Sequence, residues 1–182
     1  MDSKIREELK NELKLNALKF GDFVLASGKK STYYINCKKV TLDAKGSYLS
    51  GLGLLDLIPQ DCKAAGGLTL GADPLVSSLT VLSHQQNRPL SGFLVRKEPK
   101  GHGTASQIEN CPEKGTKVVI VDDVITTGGS ALKAAEIAQE SGLDVVLAIC
   151  LVDRMEGGKE AFEKIGVKMK SIFTINELLE NR

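Results

Sequence analysis

One stretch of the sequence decides the fold: Val118-Val119-Ile120-Val121-Asp122-Asp123-Val124-Ile125-Thr126-Thr127-Gly128-Gly129-Ser130. It begins with four consecutive apolar residues, which is typical of a strand that is covered on both faces in a parallel sheet. Two acidic residues come next, and then a turn that is rich in glycine and hydroxyl groups. This order predicts a buried strand that ends in two acids, a tight turn and the start of a helix.

Strands and helices are predicted to alternate on both sides of this stretch. The apolar patterns and the positions of glycine and proline favour strands at 64–70, 90–96, 117–122, 144–152 and 167–174 and helices at 74–86, 129–141 and 159–165, with a short closing helix. Such alternation is typical of an α/β fold, so we expect a mostly parallel, twisted sheet flanked by helices. Ligands of these folds bind at the carboxyl ends of the strands.

The N-terminal part of the chain follows another pattern. Apolar residues spaced by four predict an amphipathic helix at 5–17, with Asp2 or Ser3 as its cap. A hairpin is predicted at 20–39, with its turn at Ser27-Gly28-Lys29-Lys30. A further helix is expected at 45–58, because Pro59 disfavours its continuation.

The turn after the two acids has the chemistry of a phosphate socket. Gly128 and Gly129 allow the main chain to approach a ligand closely. The N–H groups at the start of the following helix converge on one point, where the helix dipole also favours an anion. Thr126, Thr127 and Ser130 add hydroxyl donors. The turn therefore suits a phosphate monoester, although an ordinary strand–turn–helix with a capping threonine is the plainer alternative.

The acids Asp122 and Asp123 distinguish this socket from other phosphate sites. A nucleotide-triphosphate loop needs a lysine after its glycines, and a dinucleotide fold needs G-x-G-x-x-G; neither is present. Carboxylates beside the socket can accept hydrogen bonds from vicinal ribose hydroxyls, or hold a Mg²⁺ that those hydroxyls coordinate. Ribose 5-phosphate fits best, and the whole stretch resembles the 5-phosphoribosyl-1-pyrophosphate (PRPP) motif of type I phosphoribosyltransferases.

A second constellation is Arg96-Lys97-Glu98-Pro99-Lys100-Gly101-His102-Gly103, which places four potential cations in seven residues. Proline and glycine predict a loop here. A solvated basic turn is the plain alternative. However, PRPP releases pyrophosphate, and positioned cations stabilise the charge that builds on such a leaving group. A loop hinged at glycine can also close over the site and exclude water.

Together the motifs resemble the orotate phosphoribosyltransferases over about residues 17–158. The resemblance rests on Phe20-Gly21-Asp22-Phe23, on Ser27 to Tyr34, on the basic loop, on Asp122 to Ser130 and on Val152-Asp153-Arg154. It implies a single domain, with residues 1–60 as an N-terminal hood and 61–182 as the core. It also implies transfer of ribose 5-phosphate from PRPP to orotate, which gives orotidine 5-monophosphate and pyrophosphate with the help of Mg²⁺.

The resemblance also implies roles for individual residues. Arg96, Lys100 and His102 should contact pyrophosphate, and Lys97 should do so from the neighbouring subunit of a homodimer. Lys97, Lys100, His102, Asp122 and Asp123 are the implied catalytic residues. The implied PRPP-binding residues are the four basic-loop residues, the two acids, and Val124, Ile125, Thr126, Thr127, Gly128, Gly129 and Ser130. No metal site built from the protein alone is implied, although Asp122 and Asp123 could approach Mg²⁺.

For the base, the resemblance implies contacts from Thr126 and Arg154. An arginine suits the carboxylate of orotate because its planar fork can hold two oxygens at once. A surface arginine paired with Asp153 or Glu156 is the alternative interpretation. Tyr34 and Ile35 are expected to pack near the base, although Tyr33 and Tyr34 fit equally well as plain strand residues.

The chain departs from some relatives at two positions. Some members have a lysine where Ala26 stands, and some have an aromatic–lysine pair in place of Ala72-Asp73. The turn Gly71-Ala72-Asp73-Pro74 must then bind through backbone N–H groups, and we expect an unusual peptide bond, such as a cis bond, in it. These departures bear on pyrophosphate binding.

Composition excludes several other classes of protein. The net charge of +1 gives no field that would attract nucleic acid or an anionic membrane, and only 4% of residues are aromatic. The cysteines are scattered without a Cys-x-x-Cys pair, which argues against zinc and favours reduced thiols in a cytoplasmic protein. Two rivals stay open: a phosphoribosyltransferase for another base, and a regulator that senses PRPP and binds nucleic acid.

Overall fold

A six-stranded sheet in the order β5-β4-β3-β6-β7-β8 forms the centre of the computed structural model, which describes residues 1–24, 30–98 and 106–180. All pairings in this sheet are parallel except that of β4 with β5. The predicted mostly parallel sheet is therefore confirmed. The strands are β3 (Ala64–Leu68), β4 (Ser91–Val95), β5 (Ile108–Glu109), β6 (Lys117–Ile125), β7 (Asp144–Asp153) and β8 (Lys168–Thr174).

Helices cover both faces of this sheet. They are α1 (Ser3–Glu12), α2 (Lys38–Thr41), α3 (Ala44–Leu55), α4 (Asp73–Gln85), α5 (Gly129–Glu140), α6 (Gly158–Lys164) and α7 (Ile175–Leu179). Val119 and Val121 of β6 pack in one core cluster with α1, α3 and α4, and Val118 and Ile120 pack in a second cluster with α5 and α6. Because both faces of β6 are covered, its apolar residues occur without alternation. None of the helices in the described ranges is long and apolar enough to cross a bilayer.

The N-terminal region adds a small two-stranded sheet. The Asp2 side chain caps α1, as predicted, and one π-helical turn (Leu13–Ala17) leads from α1 into β1 (Leu18–Val24). Strand β1 pairs antiparallel with β2 (Lys30–Ile35), which confirms the predicted hairpin. The turn signal at 27–29 lies outside the described residues. Strand β2 ends at Ile35, before the end of the hairpin predicted at 20–39, because α2 begins at Lys38.

Two sequence expectations about the core need correction. Strand β6 does not end at the acids but continues to Ile125, because Val124 and Ile125 pair with Val152 and Asp153 of β7. The segment between the strands predicted at 90–96 and 117–122, where no strand was expected, contains the short strand β5, which pairs with β4 at the sheet edge. A strand of two residues is too short to give a period in the sequence.

The topology brings the motifs together. Strands β4, β3, β6 and β7 are neighbours and parallel, so their carboxyl ends meet at one edge of the sheet. The basic segment follows β4, the turn with Gly71 follows β3, the phosphate turn follows β6, and Arg154 follows β7. This edge is where ligands of open α/β sheets bind.

Candidate active site

The turn between β6 and α5 forms a concave socket. The cavity is lined by Asp122 and by every residue from Val124 to Ala131. Gly128 is the N-terminal cap residue of α5 and has φ +89°, a left-handed conformation that glycine adopts without the strain of a Cβ. A Cβ at Gly129 would meet no atom within 4 Å, so main chain is open to the cavity there. The socket therefore presents backbone N–H groups and hydroxyls at a helix N-terminus, as an anion requires.

The two acids are buried at the floor of the site, with Asp122 7% and Asp123 6% exposed. Desolvation, together with the neighbouring Asp123, raises the pKa of Asp122 to about 8. The Asp122 carboxylate accepts a hydrogen bond from the backbone N–H of Asp123 at 2.9 Å, and Asp123 accepts one from Val124 at 3.0 Å. These bonds fix the orientation of both carboxyl groups, and Asp122 also lines the socket.

This burial predicts that Asp122→Asn stabilises the protein, and more so at high pH. Between the ordinary carboxyl pKa of 3.8 and about 8, folded Asp122 holds a proton that the unfolded chain has released. Its contribution to stability therefore falls as pH rises through this window. Asparagine has no proton to lose, so thermal unfolding should show a larger gain in melting temperature at pH 8 than at pH 5. If the gain in melting temperature at pH 8 is equal to or smaller than that at pH 5, the pKa of Asp122 is not raised in the folded protein.

A second cavity adjoins the socket and shares Asp122, Val124 and Ser130 with it. Its other walls are the segment from Leu68 to Gly71, and Asp123, Lys38 and Lys97. A Cβ on Gly71 would lie 2.5 Å from Asp122 Oδ1 and 2.8 Å from Asp123 Oδ1, so only glycine lets this turn approach the acids. The unusual peptide bond expected at Gly71 to Pro74 is found just before it, as the cis Thr69–Leu70 bond.

The basic segment is described only in part. Arg96 Nε lies 2.6 Å from Glu109 Oε1 of β5, so in this structure it forms an ion pair at the sheet edge. Lys97 is exposed and lines the second cavity of its own chain, and its carbonyl accepts a hydrogen bond from Lys133 Nζ. Lys100 and His102 lie outside the described residues.

Arg154 is buried beneath the N-terminal hairpin, with 9% of its side chain exposed. Its Nη2 lies 3.0 Å from Glu156 Oε1 and 3.4 Å from the hydroxyl of Tyr33, whose ring the guanidinium also faces at 5.1 Å. Among the described residues, its Nε has no hydrogen-bond partner although it is buried. The pair with Glu156 is the one that the surface interpretation predicted, but the burial is not that of a surface arginine.

The tyrosine that contacts Arg154 is Tyr33, whereas Tyr34 points to the other face of β2 and lies 5.7 Å from the ring of Phe23. Ile35 is buried in the core. Side chains alternate across a strand, so neighbours in sequence cannot share one face. Tyr34 and Ile35, the pair expected near the base, therefore lie on opposite faces of β2. Tyr33 is the hairpin residue that contacts Arg154.

Sequence reasoning missed Lys38, whose Nζ lies 3.1 Å from Asp123 Oδ2. Burial lowers the pKa of Lys38, but the attraction and the hydrogen bond of Asp123 outweigh this and raise it. The only sequence signal is the pair Lys38-Lys39 after a strand, which equally fits two solvated lysines. The structure separates them: Lys38 faces the acids and Lys39 is exposed.

The fold and the site define the chain as a phosphoribosyltransferase: the family model of the phosphoribosyl transferase domain matches residues 66–177. An orotate phosphoribosyltransferase of Nostoc sp. is 48% identical over 178 residues, which cover 97% of this chain and 86% of that relative. The chain belongs to the orotate phosphoribosyltransferase family, which confirms the resemblance of the motifs.

Solved structures agree with this assignment. The orotate phosphoribosyltransferase of Mycobacterium tuberculosis in complex with Fe(III) dicitrate has a TM-score of 0.85 and 35% identity, covering 96% of this chain and 98% of that one. The same protein in complex with 5-phospho-alpha-D-ribosyl 1-diphosphate has a TM-score of 0.80 and 32% identity, with the same coverage.

Proposed function

We propose that this chain transfers ribose 5-phosphate from PRPP to orotate, releasing pyrophosphate and giving orotidine 5-monophosphate. The observation that carries the proposal is the buried Arg154, placed beside a ribose-phosphate socket at the same sheet edge. Its Nε is a buried donor that has no partner among the described residues, and a buried donor left unpaired costs about 1–3 kcal/mol. The carboxylate of orotate would supply the missing acceptor. The Nostoc relative, named for orotate, supports the same base.

The two adjoining cavities suit the length of PRPP. The 5-phosphate binds the N-terminus of α5 and the hydroxyls of Thr126, Thr127 and Ser130. Asp122 borders both cavities, so the ribose between the two phosphate groups lies against it and against Asp123. Pyrophosphate then occupies the cavity of the Gly71 turn. The bound complex of the Mycobacterium tuberculosis relative with PRPP supports this substrate.

The protein's part in the reaction is positioning and electrostatics. As the bond from ribose to pyrophosphate breaks, positive charge grows on the ribose and negative charge on the leaving group. The buried Asp122 and Asp123 stabilise the positive charge on the ribose. The negative charge on the leaving group is proposed to be stabilised by Lys97, Lys100, His102 and Arg96. To do so, Arg96 must break its ion pair with Glu109. Arg154 and Thr126 hold orotate so that its ring nitrogen faces the anomeric carbon.

Mg²⁺ is the proposed cofactor. Among the described residues, no group of three or more His, Cys, Asp or Glu side chains is arranged to hold a metal ion. Asp122 and Asp123 are the residues that would approach a cation held mainly by substrate oxygens. When bound, the cation neutralises charge on pyrophosphate.

The direct test follows the absorbance of orotate as it is consumed in the presence of PRPP and Mg²⁺. Pyrophosphate release should be rapid with orotate and at background level with adenine, hypoxanthine and uracil. Faster pyrophosphate release with a purine than with orotate would show that the purine is the substrate. Binding of PRPP without product from any base would favour the sensing regulator instead.

We also propose a homodimer in the cytoplasm, with Lys97 acting in the neighbouring subunit's site. An exposed apolar groove between α3 and α4 supports the dimer: Leu42, Tyr48 and Val81 are 72%, 54% and 60% exposed there. Exposed apolar surface of this kind is typical of an association site. The likeness of the basic segment to the family's loop supports the role of Lys97. The four free thiols are those of a protein from a reducing compartment.

Mixing two inactive variants tests the shared site. In a heterodimer of Lys97→Ala with Asp122→Asn, one site has an intact Asp122 and receives an intact Lys97 from the other chain. If chains exchange freely, half of the dimers are mixed and one of their two sites works, so about a quarter of wild-type activity should return. Each variant alone is the control. No recovery after verified exchange would place Lys97 in its own chain's site.

A further inference from the structure

Lys38 is the unexplained charged residue of the site. It is the first residue of α2, directly after the N-terminal hairpin, and its ammonium reaches the core acid Asp123 at 3.1 Å. The side chain is 44% exposed, whereas that of Asp123 is only 9% exposed. The ion pair thus joins a buried carboxylate of the sheet to an ammonium that is still open to the cavity.

The ammonium of Lys38 lies beside an acid, Asp123, that lines the same cavity as Lys38. Lys38 lines the cavity that is walled by the segment from Leu68 to Gly71 and by both acids. The segment from Leu68 to Gly71 brings no cation to this cavity. Pyrophosphate entering here would face two acids, Asp122 and Asp123. The described residues that line the cavity include two cations, Lys38 and Lys97. Because Lys97 is proposed to act in the neighbouring subunit's site, Lys38 is the one of these two that remains to offset the acids of its own chain.

We propose that Lys38 contacts the pyrophosphate group of PRPP, an assignment that rests on the proposed function. In the empty site its ammonium pairs with Asp123, and on binding it bridges Asp123 and a phosphate oxygen. An ammonium has three donors, so it can serve both acceptors at once. This bridge screens the leaving group from the acids beneath the ribose. The second cation is the Lys97 that the neighbouring subunit is proposed to supply.

A purely structural ion pair is the competing explanation. A pair with a half-exposed lysine contributes little to stability, because solvent screens it and the side chain loses entropy. A structural lysine would also not affect one ligand more than another. The two explanations therefore differ in ligand selectivity and not in folding.

The test compares Lys38→Gln with Lys39→Gln, a control on the adjacent exposed lysine. Calorimetric titrations with PRPP and with orotidine 5-monophosphate, and the KM of inorganic pyrophosphate in the reverse reaction, are the readouts. Loss of one charge-assisted contact should weaken PRPP binding and raise the pyrophosphate KM by about tenfold in Lys38→Gln. Binding of orotidine 5-monophosphate, which has no pyrophosphate, should stay within about twofold of wild type. Lys38→Arg should recover part of the loss, and Lys39→Gln should match wild type.

Two results would overturn the proposal. Unchanged binding of PRPP and pyrophosphate in Lys38→Gln would leave Lys38 as a structural ion pair. Equal weakening of orotidine 5-monophosphate and PRPP would show that it acts only through Asp123 on the ribose. If wild type forms no product from orotate, the proposed function fails, yet the PRPP titrations still decide the role of Lys38.

Discussion

Asp122→Asn should lower kcat/KM for PRPP by about 10²–10³-fold, the usual scale for losing one preorganised electrostatic group. Asp122 borders both the socket and the cavity at the Gly71 turn, so it lies where the ribose is proposed to bind. Asparagine keeps the acceptor for the backbone N–H of Asp123 but cannot ionise. Steady-state kinetics with varied PRPP at saturating orotate would measure the loss.

The pH profile gives this prediction a second readout. The free site holds a proton on Asp122, whose pKa is raised to about 8 by desolvation and by Asp123. Because the ionised form is the one that accepts from ribose hydroxyls, wild-type kcat/KM for PRPP should rise with pH and level off above about 8. The rise should be absent in Asp122→Asn.

A matched control is Asp144→Asn, at the opposite end of β7 and exposed. It should leave kcat/KM for PRPP unchanged. Thermal unfolding shows separately whether Asp122→Asn is folded, because this variant is expected to melt at a higher temperature than wild type. An Asp122→Asn protein that is more stable and nearly fully active would refute the role of this carboxylate in catalysis.

Arg154→Ala should raise the KM for orotate by about 10²-fold, because bonds between charged groups are worth about 1.5–3 kcal/mol each. The guanidinium is held in place from two sides, by Glu156 at 3.0 Å and by the ring of Tyr33. The KM for PRPP should change little, since the phosphate socket is formed by a different strand. Arg154→Lys keeps the charge but not the planar fork, so most of the loss should persist.

Glu156→Gln is the informative control for Arg154. It removes the carboxylate that now pairs with Nη2, which competes with the carboxylate of orotate for the same donors. The KM for orotate should therefore stay equal or fall severalfold. If Glu156→Gln raises the orotate KM as much as Arg154→Ala does, the arginine serves the local fold and another group recognises the base.

The sequence alone predicted the sheet because the evidence for it is local. Four apolar residues before Asp122 require cover on both faces, and the glycines after Thr127 require a turn where a helix begins. These properties depend on residues close together in the chain. The same local order predicted the phosphate socket, although nothing within it specifies a base.

Contacts between distant segments needed the tertiary structure. The extension of β6 to Ile125 depends on pairing with β7, and the choice of Tyr33 over Tyr34 depends on which face of β2 meets Arg154. Lys38 and Lys39 are equivalent in sequence, and only the path of the hairpin over the sheet brings one of them to Asp123.

The stretch from Val118 to Ser130 thus determined by itself an α/β fold with a ribose-phosphate socket. The tertiary structure decided what surrounds the socket: the adjoining cavity at Gly71, the buried arginine, and the lysine paired with the acids. The physical reason is that chain geometry and apolar spacing act over a few residues. Charge pairing and burial depend instead on segments that meet only after the sheet has formed.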